Sequence, residues 1–130
     1  MIAKTVCFIE DDDAYMFLIK TILRGIDGYD IKILSFGDGK QAADYYSANA
    51  ENETALPDAI FLDLNMPVMD GWEFLDFWNS LQPRLKKKVP LYVHSSSISQ
   101  KDIQQAKGQS LVVDFIEKPM EEEVFLKTIK

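Results

Sequence analysis

Short apolar runs that stop on polar or turn-forming residues alternate along this chain with stretches whose apolar residues recur three or four positions apart. Runs without polar alternation suit strands covered on both faces, and the longer spacing suits amphipathic helices. The pattern predicts a strand over Thr5 to Ile9, then a helix opened by the acidic run Glu10-Asp11-Asp12-Asp13, carried by Tyr15, Leu18, Ile19, Ile22 and Leu23 and ended by Gly25 and Gly28. Ile31 to Phe36 reads as a second strand, stopped by Gly37-Asp38-Gly39. A second helix follows through Ala42, Ala43 and Tyr46 to Ala50, with Glu51 to Thr54 as its exit loop. Ala59 to Leu62 is the third strand. After Gly71 comes an aromatic helix on which Phe74, Phe77, Trp78 and Leu81 form one stripe, with Trp72 and Leu75 to one side. Most of that segment reads as core, and Trp72 is the one candidate there for a partner contact.

Arg84 to Lys88 reads as a solvated basic loop. Pro90 to His94 is a fourth strand, and Ser99 caps the next helix with Asp102 in the manner of a capping box, Gly108 closing it. Leu111 to Ile116 is a fifth strand. Glu121-Glu122-Glu123 then open a last helix that ends with Lys127 and Lys130, as the helix dipole prefers. Five strands alternating with five helices imply an α/β fold, a parallel sheet with helices on both faces and right-handed crossovers. The expected arrangement is the flavodoxin-like, doubly wound order 2-1-3-4-5.

A length of 130 residues fits one domain over 1–130, and 47% apolar residues fill its core. The net charge of −7 and the absence of a long basic stripe argue against direct nucleic-acid binding. Cys7, the single cysteine, sits in an apolar run and reads as core, so an internal disulfide or cysteine metal cage is excluded. No apolar stretch approaches about 18 residues and no leader is visible, so no membrane partner and a cytoplasmic location are expected.

The chemistry gathers at strand ends. Ala59 to Leu62 runs straight into Asp63, followed by Pro67, Asp70 and Gly71 as loop residues. In open parallel sheets ligands collect outside the carboxyl ends of the strands. Taken alone, Asp63 could equally begin a turn or cap a helix. The other strand ends supply Glu10 and Asp11, Ser95, and Lys118, so three carboxylates, a hydroxyl and an ammonium are expected to share a shallow pocket. Three close carboxylates repel by about 4 kcal/mol per pair at an effective dielectric of 20, and the site calls for a cation. Mg2+, a hard ion that keeps several waters, fits Glu10, Asp11 and Asp63 with the backbone carbonyl of Asn65 as a further oxygen. With Lys118 it balances the charge and leaves one carboxylate free to attack phosphorus, with Lys118 and Ser95 taking phosphoryl oxygens.

These residues together resemble the receiver domains of bacterial two-component response regulators, stand-alone and chemotaxis-regulator-like, from Val6 to the last helix. Glu10-Asp11 stand where that family has its acidic pair. Asp63, in Leu62-Asp63-Leu64-Asn65-Met66-Pro67, stands at the phosphoacceptor, and Met69-Asp70-Gly71 at the family's turn. Ser95 takes the Thr/Ser position, and Lys118-Pro119 the lysine with its usually cis proline. The resemblance implies a phosphorylation switch, not an enzyme, loaded from the histidine of a partner histidine kinase or histidine phosphotransfer protein. His94 is then a structural residue near the pocket rim rather than the donor.

Three departures stand out. The acidic pair is Glu-Asp rather than Asp-Asp, which lengthens one arm of the metal site. Phe115 replaces the frequent Tyr and loses a hydroxyl. Asn65 and Ser97 occupy positions that tune phosphoryl hydrolysis, with Ser96 beside them in the loop. The implied output is a contact with a downstream protein target, or onward relay, through the loop after strand four, the helix from Ser99 to Lys107, strand five and the last helix, with Phe115 following Ser95. Two alternatives share the residues: a small Mg2+-dependent aspartyl phosphatase built on Asp11-Asp12-Asp13, and a receiver-like binding module that is not phosphorylated.

Overall fold

Alternate residues of the inner strands face opposite sides of the sheet, and this divides the core in two. In the computed structural model, which describes all residues except Ser97, Ile98 and Gln109, the elements are β1 (Ile2–Ile9), α1 (Asp13–Arg24), β2 (Tyr29–Phe36), α2 (Gly39–Asn49), β3 (Ala59–Leu62), α3 (Gly71–Leu81), β4 (Leu91–Ser95), α4 (Gln100–Lys107), β5 (Val112–Glu117) and α5 (Glu122–Ile129). Short 3-10 turns cover Glu53–Ala55 and Gln82–Arg84. The strands form one parallel sheet in the order β2-β1-β3-β4-β5, the expected arrangement. Cys7, Ile9, Ile60, Leu62 and Leu91 face α2 and α3, where they meet Tyr46, Phe74 and Trp78. Val6, Phe8, Ala59 and Phe61 face α1 and α5, meeting Ile19, Leu23 and Phe125.

Every residue of β3 is buried, which is why its apolar run was so plain in the sequence. Cys7 is buried as expected, and burial pushes its thiol up to about 12, so it is inert. Asp12, Asp38, Asp70 and Ser99 cap α1, α2, α3 and α4, and the Ser99–Asp102 pair forms the expected capping box. Asp70 and Glu73 form a second one.

Two helical stripes are phased differently from the sequence reading. In α1 the buried residues are Met16, Ile19 and Leu23, whereas Leu18 is 45% exposed. In α3 Leu75 is fully buried in place of Phe77, which is only half-buried. In both helices an apolar residue next to the true stripe shifted the apparent phase. Trp72 is half-buried against the α2/α3 side of the core.

Candidate functional site

The sheet register sets the site. Ile9 pairs with Leu62 across β1 and β3, so the next residues, Glu10 and Asp63, leave their strands side by side. Main-chain bonds fix both. The Asp63 N–H donates to the Ile9 carbonyl at 3.0 Å, and the Glu10 N–H to the Phe36 carbonyl at 2.9 Å. On the other side, Leu62 pairs with Val93 and Ser95 with Glu117, and the Lys118 N–H donates to the Ser95 carbonyl at 3.0 Å. One sheet edge therefore carries Glu10, Asp63, Ser95 and Lys118.

Close backbone approach shapes the loop after Asp63. A Cβ on Gly71 would fall 2.5 Å from the Asp63 carbonyl oxygen and 2.7 Å from Leu64 Cα, so α3 begins directly against the acidic residue. The Gly71 N–H donates to the Leu64 carbonyl at 3.0 Å. Within this loop Val68 has φ 66°, a left-handed conformation that strains a β-branched residue.

Glu10 and Asp63 are buried, with residue exposures of 3% and 6%, while Asp11 is exposed. One carboxylate oxygen from each of the three lies within 4.8 Å of the others. The Lys118 ammonium pairs with Glu10 Oε1 and stands 3.5 Å from Asp63 Oδ2. Glu10 Oε2 accepts the Asp12 N–H at 3.1 Å, and Asp63 Oδ1 the Asn65 N–H at 3.4 Å. Burial pushes the Glu10 carboxyl above its ordinary range and the Asp63 charge adds to this, against the lowering pull of Lys118 and the Asp12 amide. The cluster sets three carboxylates against a single ammonium and so lacks positive charge in formal count. Its donors are all hard oxygens, the set Mg2+ prefers, so the residues fit that ion.

Of the four acidic residues opening α1, Asp12 is spent as the N-cap and Asp13 is exposed in the first turn. The Asp-x-Asp of a phosphatase thus brings only Asp11 to the cluster. Ser95 is fully buried at the end of β4, Ser96 is exposed just beyond it, and Ser97 lies outside the described residues. The Lys118–Pro119 peptide is cis, as the resemblance implied. Phe115 is half-buried on β5 and lines, with Tyr92, Val124 and Lys127, a cleft of about 250 Å3 against α5.

His94 departs from its expected place at the rim, being 1% exposed beneath the sheet edge. Burial, with the Lys118 charge adding to it, pushes its imidazole down to about 3. The rings of Phe8 and Phe61 meet it edge-on at 6.0 and 6.2 Å. Its Nε2 is 2.6 Å from the Tyr15 hydroxyl. Tyr15 is the site residue that sequence reasoning missed, taken there for part of the helical stripe. The only signal was its place two residues beyond the acidic run.

The chain is similar to known proteins of one family. The family described as "Response regulator receiver domain" matches residues 6–130. A hybrid signal transduction histidine kinase I of Dictyostelium discoideum is 30% identical over 99% of this chain, which spans only 7% of that protein's length. The crystal structure of a two-component response regulator from Cytophaga hutchinsonii is similar over 98% of this chain and 93% of its own, with 29% identity and a TM-score of 0.83. That of the phosphorylated cyanobacterial phytochrome response regulator RcpA is similar over 97% and 89%, with 31% identity and a TM-score of 0.77.

Proposed function

Because the chain belongs to the response regulator receiver domain family, we propose that Asp63 is its phosphoacceptor, loaded from a phosphohistidine on a partner histidine kinase or histidine phosphotransfer protein. One observation carries this reading: the Glu10, Asp11 and Asp63 carboxylates converge within 4.8 Å, with the Lys118 ammonium 3.5 Å from Asp63 Oδ2. An Asp63 oxygen attacks phosphorus, the P–N bond breaks, and its electron pair returns to the imidazole nitrogen, leaving an acyl phosphate on Asp63. Lys118 neutralises one phosphoryl oxygen and the Ser95 hydroxyl donates to another. The Asn65 N–H, already directed at Asp63, helps hold the attacking carboxylate. Glu10, Asp11, Asp63 and the Asn65 carbonyl would hold Mg2+, whose positive charge would let two anions meet.

Loading replaces a single negative charge by nearly two and adds acceptor oxygens. A charge-assisted bond from Ser95 worth about 1.5–3 kcal/mol, made only in the phosphorylated state, shifts a two-state equilibrium about ten- to a hundredfold. The face that carries the change comprises the Ser96 loop, α4, β5 with Phe115, the turn at Pro119, and α5, and its target is another protein. The same reading places the chain in the cytoplasm. Among the described residues no helix is long and apolar enough to cross a membrane.

Incubation with acetyl phosphate and Mg2+ tests the assignment. The expected result is one phosphate per chain for the wild type, none without Mg2+, and none for a folded Asp63→Asn variant. Undiminished labelling of that variant refutes it.

A further inference from the structure

Three segments of the site meet on a side chain for which the phosphoacceptor reading has no use. Tyr15 stands in the first turn of α1, and Lys118 Nζ lies 4.8 Å from the centroid of its ring. Its hydroxyl is 2.6 Å from His94 Nε2 and accepts the Met120 N–H at 3.1 Å. A phenol has a single O–H, and this oxygen already accepts from Met120. The hydroxyl and His94 Nε2 share one short hydrogen bond, whose direction follows the tautomer of the imidazole. Burial holds the His94 imidazole and the Tyr15 phenol neutral. His94 is in turn packed edge-on against the stacked rings of Phe8 and Phe61, so the hydroxyl rests on a fixed point of the sheet.

Lysine is a flexible stem ending in three N–H bonds, and an ammonium is drawn to the face of an aromatic ring. Around Lys118 two directions lead to Glu10 and Asp63, and the ring of Tyr15 lies on a third side. The Met120 bond ties the main chain just beyond Lys118 to the same phenol. We propose that Tyr15 is a positioning residue for phosphoryl transfer: its ring holds the Lys118 ammonium against Asp63, and its hydroxyl, seated on His94, holds the ring. This rests on the reading of Asp63 as phosphoacceptor.

The test compares Tyr15→Phe, which keeps the ring, with Tyr15→Leu, which removes it. Phosphorylation rates with acetyl phosphate, Mg2+ affinity and the NMR signals of Lys118 and His94 are measured on the full chain. Tyr15→Phe is expected to slow loading about threefold and to shift the His94 Nε2 resonance. Tyr15→Leu is expected to slow it about tenfold or more and to abolish the upfield ring-current shift of the Lys118 Hε protons. Mg2+ affinity should stay within about twofold in both. The proposal is overturned if Tyr15→Leu loads at the wild-type rate, if its Lys118 shift is unchanged, or if Mg2+ affinity falls in step with rate. Should Tyr15→Leu not fold, loading of Tyr15→Phe at the wild-type rate overturns it. A wild-type chain that takes no phosphate would instead refute the phosphoacceptor reading, and the Lys118 shift, read without phosphate, still decides whether Tyr15 positions the lysine.

Discussion

Helices α3 and α4 both leave the same edge of the sheet, one after Asp63 and the other after Ser95, yet they are held by different forces. α3 buries Gly71, Phe74, Leu75, Trp78 and Leu81 and is part of the core. α4 has Ala106 as its one buried residue among the described side chains, and neither face of the core includes it. Local bonds hold α4 instead, above all the Ser99–Asp102 capping box. Segments with few buried apolar contacts are the ones that rearrange at low cost. Asp63, the proposed acceptor, is thus mounted on the rigid side of the sheet, and the Ser95 hydroxyl leads into the lightly held side.

Truncating one residue on each helix attacks this contrast most directly. Trp78→Ala should cost about 3–5 kcal/mol in urea unfolding, as large-to-small changes of buried aromatics do. Ile103→Ala, half-buried on α4, should cost less than about 1 kcal/mol. Similar costs would erase the distinction.

Gly71→Ala probes the junction between α3 and Asp63. Its new Cβ meets backbone at 2.5 and 2.7 Å, which cannot rotate away. A loss of about 1–3 kcal/mol together with slower loading by acetyl phosphate is expected. Wild-type stability and rate would show that the loop yields freely.

His94 sharpens the comparison because it lies on β4, the strand leading to α4, yet is as buried as the residues of α3. Its imidazole is held down to about 3, against 6.5 when exposed. Between those values the unfolded chain binds a proton that the folded chain refuses, so stability falls as pH drops. The expected loss from this group is about 2 kcal/mol at pH 5 relative to neutral pH. His94→Leu should lose that much less between pH 7 and 5 in parallel urea titrations, and equal losses would remove His94 from the account.

The smallest effect is expected at Val68. Relieving its left-handed backbone with Val68→Asn should stabilise the chain by about 1 kcal/mol, read as a higher urea midpoint at unchanged slope. A lower midpoint would mean that the valine side chain contributes contacts there.

The inner sheet was legible because burial on both faces leaves an unbroken apolar run, as in Ala59–Leu62. The outer parts were not. β1 begins at Ile2 and β2 at Tyr29, where exposed Ala3 and Asp30 are paired through main-chain bonds that ask nothing of side-chain polarity. Glu10, Asp11, Asp63 and Lys118 could be read because each sits where an apolar run stops, and a parallel sheet brings such stops to one edge. The Tyr15–His94 pair could not, since its partners are 79 residues apart, and alone Tyr15 passes for a stripe residue and His94 for a structural residue at the rim.

Trp78 is sealed in the core against Tyr46 and Phe74, whereas Trp72 is half-buried and follows the glycine that rests on the Asp63 carbonyl. The two indoles therefore emit from unlike surroundings. An aqueous quencher such as iodide will dim Trp72 and spare Trp78, so the native chain carries its own optical gauge of the loop after Asp63, with no dye attached.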